Sequence, residues 1–264
     1  MARSALLNVM VAAVRKSTRG LARDFGEVEN LQVSKKGPGD FVTAADRRVE
    51  KILLQELEHV RPGYCFLTEE TGVIEGRDKT HRWIMDPIDG TTNFIHGIPM
   101  FCVSLALERD GVLVAGVIFN PISDELFVAE RGAGAYLNDR RLRVAARRDL
   151  ADAVLTCGIP HSNRGGHDLF LKELARLQVR VSGVRRTGSA ALDLAWLAAG
   201  RFDGLWERGL QPWDTAAGIL MVREAGGMVS DIDGKPDPLV TGNIVGGNDD
   251  IVRAMQQELK AAGT

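Results

Sequence analysis

The sequence predicts a layered α/β (α+β) fold in which two stacked sheets are covered and separated by helices. Three observations lead there. Phe101 to Glu108, Val112 to Phe119 and Glu125 to Ala129 read as a three-stranded meander, with turns marked by Asp110-Gly111 and Asn120-Pro121. From about Ala151 onward, strand and helix patterns alternate instead. With 45% hydrophobic residues in 264, the chain can also fill a large core. A meander followed by alternation gives sheets with helices in layers, because each apolar face must be covered.

In order along the chain, Leu7, Met10, Val11, Val14 and Leu21 fall on one helical face, a first amphipathic helix rather than a signal peptide. A second helix, running to about His59, carries the stripe Val49, Ile52, Leu53, Leu57 and Val60. Thr43 and Asp46 precede that stripe in the S/T-x-x-E capping pattern, with Asp in place of Glu. Tyr64 to Leu67 is a strand that ends at Glu69-Glu70, and the apolar run from Trp83 is a strand closed by Asp86. After the meander come a strand near Val154, a helix from His167, a strand near Val179 and a helix from Ser189. A strand near Leu205 precedes a helix opened by Trp213-Asp214-Thr215 and stopped at Gly226-Gly227. Two short strands and a last helix from Asp249 complete the pattern. With no linker, repeat or low-complexity tract, residues 1–264 read as one domain of two packed halves, about 1–150 and 151–264.

Composition excludes several classes. A net charge of −2 and a pI near 6.2 give no global argument for nucleic acid. Arg140, Arg141, Arg143, Arg147 and Arg148 form a basic cluster that reads as a solvated hairpin edge and loop. Cys65, Cys102 and Cys157 are distant and odd in number, which fits reduced thiols in a cytoplasmic protein. No apolar run reaches the roughly 20 residues that span a bilayer. The five histidines have no metal-ligand spacing, and no Walker A or complete dinucleotide loop occurs. In D-P-I-D-G-T the glycine is fifth rather than sixth and Gly97 stands twelfth, so it is not an EF-hand.

The segment W-I-M-D-P-I-D-G-T-T-N-F, Trp83 to Phe94, concentrates chemistry. Pro87 holds Asp86 extended, and Gly90 lets the chain turn into Thr91 and Thr92 at a helix start. Two carboxylates then face one volume beside free backbone N–H groups, a pairing that suits a hard cation together with a phosphate. An ornate turn with a capping threonine is the local alternative. At Glu69-Glu70 adjacent residues point to opposite faces, so one of the two points inward. Asp214 sits at or near an N-cap, and capping alone explains it, as it does Thr43 and Asp46.

Taken together, the order T-A-A-D, E-E, D-P-I-D-G-T-T-N-F and W-D-T-A-A-G resembles the inositol monophosphatase family of Mg2+-dependent, lithium-sensitive phosphatases. The resemblance covers essentially the whole chain, and Arg186 to Gly204 looks like the family's bacterial branch. It implies a five-layer αβαβα sandwich of the inositol monophosphatase and fructose-1,6-bisphosphatase type, with the site between the halves. It also implies that Glu69, Asp86 and the Ile88 carbonyl hold one Mg2+, that Asp86, Asp89 and Asp214 hold a second, and that a third, looser ion leans on Glu69. Mn2+ is a substitute cation. Gly90 and Thr91 match the amides that receive phosphate, and Thr91 with Asp46 matches the pair that orients the attacking water. Gly188, Ser189, Ala190 and Glu207 correspond to the polyol-binding segment. Lys35 and Lys36 both fit the family lysine, with Lys36 favoured.

The expected activity is hydrolysis of inositol monophosphate or a similar small polyol phosphate by metal-activated water. One general base supplies roughly 10² to 10⁴, whereas phosphate monoester hydrolysis needs acceleration up to about 10²¹, so cations are required. Fructose 1,6-bisphosphate, histidinol phosphate or a 3′-phosphonucleotide are alternative substrates. A regulatory protein that binds transcription machinery is the alternative of another class, unsupported by charge. The family suggests a homodimer, and the apolar helix from Ala190 to Ala199 fits an interface face and core packing equally well.

Overall fold

The structure is a computed structural model that describes residues 4–26, 33–37, 40–160, 165–235 and 237–263, without the side chains of residues 26, 33–37 and 40–42. Helix α1 (Ala5–Ser17) starts at Ser4, whose hydroxyl accepts from the Leu7 N–H at 3.1 Å. It is followed by the short α2 (Leu21–Gly26), so Leu21 belongs to a separate helix. Strands β1 (Val33–Gly37) and β2 (Asp40–Thr43) pair antiparallel in a hairpin that the sequence pattern did not reveal. Then come α3 (Ala44–Val60), β3 (Tyr64–Thr68), β4 (Gly72–Ile74), β5 (Asp78–Asp89) and α4 (Thr91–Ile95). The meander is β6 (Cys102–Arg109), β7 (Val112–Asn120) and β8 (Glu125–Glu130), extended by β9 (Gly134–Leu137) and β10 (Arg140–Arg141). Its first turn places Asp110 and Gly111 at φ 51° and 75°, the left-handed pair that a tight hairpin requires. Among the described residues these strands form one sheet, ordered β10-β9-β8-β7-β6-β5-β3-β4, in which only β3 and β5 run parallel.

The second sheet draws on β11 (Val154–Cys157), α5 (His167–Gln178), β12 (Gly183–Arg185), α6 (Ala190–Ala198), β13 (Gly204–Glu207) and α7 (Pro212–Glu224). It is completed by β14 (Met228–Asp231), α8 (Pro238–Thr241), β15 (Ile244–Gly247) and α9 (Asp249–Gly263). The order is β12-β11-β13-β15-β14, parallel across β12, β11 and β13. The expected strand near Val179 is instead the exposed end of α5, and the strand begins at Gly183. The alternation Val179, Arg180, Val181 imitated a strand, but Val179 faces water as the C-cap.

Five layers follow from the two faces of each sheet. Along β5, Trp83 and Met85 point to a core shared with Leu7, Met10, Val49, Leu53 and Leu57 of α1 and α3. Ile84 points the other way, into a core with Leu194 and Leu197 of α6 and Ile219 and Met221 of α7. Leu205 and Ile244 of the second sheet close that middle layer. Outside it, α5 and α9 cover Leu155, Trp206 and Val245 with Phe170, Leu177, Ile251, Met255 and Leu259. The αβαβα sandwich is therefore observed. Of the two readings of α6, core packing is the one observed, since its apolar residues are buried inside the chain between the two sheets. Among the described residues no helix is long and apolar enough to cross a membrane.

Candidate active site

The apolar alternation of β5 ends at Asp86, and its pairing with β6 loses register between Asp86, opposite Ser104, and Asp89, opposite Cys102. Pro87 sits in this irregularity, where a missing N–H is tolerated. The Ile88 N–H donates to Asp86 Oδ1 at 2.9 Å and fixes that side chain. Asp214 arrives from α7, where it is the third helical residue in a capping box rather than the N-cap itself, which is Gln211. Its Oδ2 accepts from the Gln211 N–H at 2.8 Å. Asp86, Asp89 and Asp214 each present a ligand oxygen within 4.8 Å of the others. Glu69, from the turn between β3 and β4, stands outside that trio but faces Asp86 at hydrogen-bonding range, while Glu70 does not line the cavity.

Acid stands against acid in this cluster. Burial pushes the Asp86 carboxyl well above its ordinary range, and Glu69, Asp89 and Asp214 push it further. Burial also raises Asp89, although Ser189 Oγ at 2.6 Å and the Ala191 N–H at 2.7 Å, at the start of α6, donate to its Oδ2 and oppose the rise. Oxygen-only, mutually repelling donors suit a hard divalent cation such as Mg2+ or Mn2+ and not zinc.

Beside the carboxylates the chain turns through Gly90 at φ 98°, a left-handed conformation that suits glycine, and enters α4 with no side chain capping it. Thr91 Oγ1 lies 3.0 Å from the Ile88 carbonyl and 3.2 Å from Asp46 Oδ1, so one proton is shared between two acceptors. Asp46 serves both the α3 capping box and the Thr91 hydroxyl. Its Oδ2 accepts from the Thr43 hydroxyl at 2.5 Å and the Thr43 N–H at 2.8 Å, and burial raises its carboxyl. Asn93 Nδ2 donates to the carbonyls of Met100 at 2.6 Å and Thr187 at 2.8 Å, tying α4 to the loop that carries Gly188.

These groups open into a cavity of about 360 Å³ whose walls bring Glu69, Asp86, Ile88, Asp89, Gly90, Thr91, Gly188, Ser189, Ala190, Glu207 and Asp214 together. Asp46 touches the site through Thr91. The choice between Lys35 and Lys36 rests on side chains outside the described residues. Surrounding protein and the carboxylates Asp193, Asp214 and Asp89 raise Glu207 well above its ordinary range, against the pull of Arg186.

Sequence reasoning passed over Asp193, whose only signal was a lone acid in the apolar run L-D-L of α6. It is buried on the cavity wall, accepting from Thr187 Oγ1 at 2.5 Å and Thr156 Oγ1 at 2.8 Å. Burial pushes it up to about 7. Because this folded value exceeds the unfolded 3.8, its favourable contribution is complete below pH 3.8 and is lost as pH rises through about 7. Three pH units at about 1.4 kcal/mol each make the penalty at pH 8 on the order of 4 kcal/mol. Asp193→Asn should therefore flatten the fall in stability between pH 5 and pH 8, as read from urea unfolding in EDTA.

Comparison with known proteins identifies the family. The chain is 63% identical over 260 residues to the inositol-1-monophosphatase of Mesorhizobium japonicum, covering 98% of each. It is 43% identical over 255 residues to the Nus factor SuhB of Escherichia coli K12, covering 97% of this chain and 96% of that one. The crystal structure of the extragenic suppressor protein suhB from Bartonella henselae superposes with a TM-score of 0.94 at 58% identity, covering 97% of this chain and 99% of that one. Residues 2–262 match the inositol monophosphatase family, and the chain belongs to that family of phosphatases.

Proposed function

We propose that the protein hydrolyses inositol monophosphate, or a similarly small polyol phosphate, in a Mg2+-dependent reaction. The observation that carries this reading is the trio Asp86, Asp89 and Asp214 set against the open turn at Gly90 within one cavity. Glu69, Asp86, the Ile88 carbonyl, Asp89 and Asp214 would hold two to three cations. When bound, such cations lower the pKa of water and offset charge on the phosphoryl oxygens.

The chain's own groups then have separate tasks. The N–H groups of Gly90 and Thr91 receive the phosphoryl oxygens. Thr91 Oγ1 orients the attacking water, while its own proton is shared between the Ile88 carbonyl and Asp46. Glu207 accepts hydrogen bonds from the polyol hydroxyls, opposite Gly188, Ser189 and Ala190. No covalent phosphoenzyme forms, so acid quench after labelled substrate traps no phosphorylated protein. The domain so described spans 1–264, and with it go sensitivity to lithium and a homodimeric state. The buried free thiols Cys65, Cys102 and Cys157 support a cytoplasmic location.

Glu207 has room only because residue 158 is glycine: a Cβ there would overlap the Glu207 carboxylate. Gly158→Ala should raise KM for inositol 1-phosphate about tenfold or more while kcat falls less, in steady-state kinetics, because ground-state polyol binding is what is lost. The substrate is tested by comparing inositol 1-phosphate, fructose 1,6-bisphosphate, histidinol phosphate and 3′-phosphoadenosine 5′-phosphate with Mg2+, with and without lithium. Best turnover of the inositol ester, suppressed by lithium, supports the reading, and best turnover of another ester replaces the substrate.

The relative named Nus factor SuhB supports a second reading, association with transcription machinery. Asp89→Asn separates the two. A cellular phenotype that survives this substitution unchanged does not report hydrolysis.

A further inference from the structure

On α3 the buried stripe contains two acids one turn apart, Asp46 and Glu50, among Val49, Leu53 and Leu57. Asp46 is explained by Thr43 and Thr91, but Glu50 is not, and a carboxylate only 3% exposed needs partners. It has two. Oε2 accepts from the Glu70 N–H at 3.0 Å, and Oε1 accepts from the Thr71 hydroxyl at 2.5 Å. Both donors lie in the turn between β3 and β4, the turn that carries Glu69.

We propose that Glu50 is a positioning residue for Glu69, clamping the β3–β4 turn so that the Glu69 carboxyl is held toward Asp86 for cation binding. The inference rests on the cation-dependent reading above. Its physical basis is peptide planarity: the Glu70 N–H shares a rigid plane with the Glu69 carbonyl, so holding that N–H fixes the backbone rotation after the Glu69 Cα. On the other side Glu69 is anchored by Thr68, which pairs with Met85 in the sheet. Thr68 Oγ1 also accepts from the Thr71 N–H at 3.2 Å and donates to the Gly72 carbonyl at 3.3 Å, closing the turn. The same helical face therefore reaches both ends of the site, through Asp46 to Thr91 and through Glu50 to the Glu69 turn. Residues four apart on a helix are neighbours, so the rod of α3 sets the spacing between the two.

The test is Mn2+ binding to the full chain, measured by calorimetry for wild type, Glu50→Gln, Glu50→Asp, Thr71→Val and Asp89→Asn, with amide exchange at Glu70 followed in EDTA. The amide of Gln cannot accept from both donors, and Asp cannot reach them. Glu50→Gln and Glu50→Asp should weaken binding about 10- to 100-fold, the range for partners behind metal ligands, and Thr71→Val a few-fold. Glu70 amide exchange should accelerate in both Glu50 variants, while rate at saturating Mg2+ recovers toward wild type. Wild-type affinity in Glu50→Asp beside loss in Glu50→Gln would mean that charge alone matters and would overturn the positioning role. Unchanged affinity in Thr71→Val and Glu50→Gln would overturn it also, and Thr71→Val keeps the test open if Glu50 variants fail to fold. If wild type and Asp89→Asn bind no Mn2+ while the Glu70 amide still exchanges faster without Glu50, the cation reading itself fails and Glu50 is only a turn clamp.

Discussion

Replacing Asp86 by asparagine should abolish Mg2+-dependent phosphate release, by about a thousandfold or more, the upper range for deleting one preorganised electrostatic contact. The same change should make the metal-free chain more stable at pH 8. Both effects have one origin. Asp86 is buried against Glu69, Asp89 and Asp214, so its folded pKa lies well above the unfolded value, and its contribution to stability declines as pH rises through that raised range. Asparagine removes the like charge that a divalent cation would otherwise offset. Wild type should therefore gain stability with Mg2+, about 2.7 kcal/mol at a hundred times Kd, whereas Asp86→Asn should gain little. Urea unfolding at pH 8, with EDTA and with Mg2+, reads the difference beside the rate assay.

Gly90→Ala should be the second most damaging change. A left-handed φ of 98° costs a non-glycine residue about 1–2 kcal/mol. The new Cβ would also sit 2.9 Å from the Met100 carbonyl oxygen and 3.2 Å from Phe101 Cβ, so the backbone must move. That backbone carries the amides of Gly90 and Thr91, and a displacement near 1 Å costs about a hundredfold in rate. kcat/KM should fall by at least that factor. Gly97→Ala is the control: φ is 68° and nothing lies within 4 Å of the added Cβ, so stability should drop by about 1–2 kcal/mol with activity nearly intact.

The meander and the alternation of the second half were legible because each strand and helix has a one-sided apolar pattern. The hairpin of β1 and β2 was not, since V-S-K-K-G and D-F-V-T offer too few apolar positions to set a period. Within the site, the Asp86 to Thr91 turn announced itself by local chemistry. Asp46 and Asp214 did not, because both do satisfy helix N-termini, and their nearness to Thr91 and to the other carboxylates appears only in the fold. Family resemblance supplied those two residues where local reading stopped at capping. Glu50 and Asp193 escaped both routes. An acid in an apolar stripe is informative only once its partners are known, and those partners are 20 or more residues away for Glu50 and as many as 37 away for Asp193.

The most direct measurement is phosphate release from inositol 1-phosphate by the untreated protein, by the protein in EDTA, and by the same sample after Mg2+ is restored. Release that stops in EDTA and returns with Mg2+ is the predicted result. Release that continues unchanged in EDTA, or no release from any of the small phosphate esters when Mg2+ is present, would contradict cation-dependent hydrolysis at Asp86, Asp89 and Asp214.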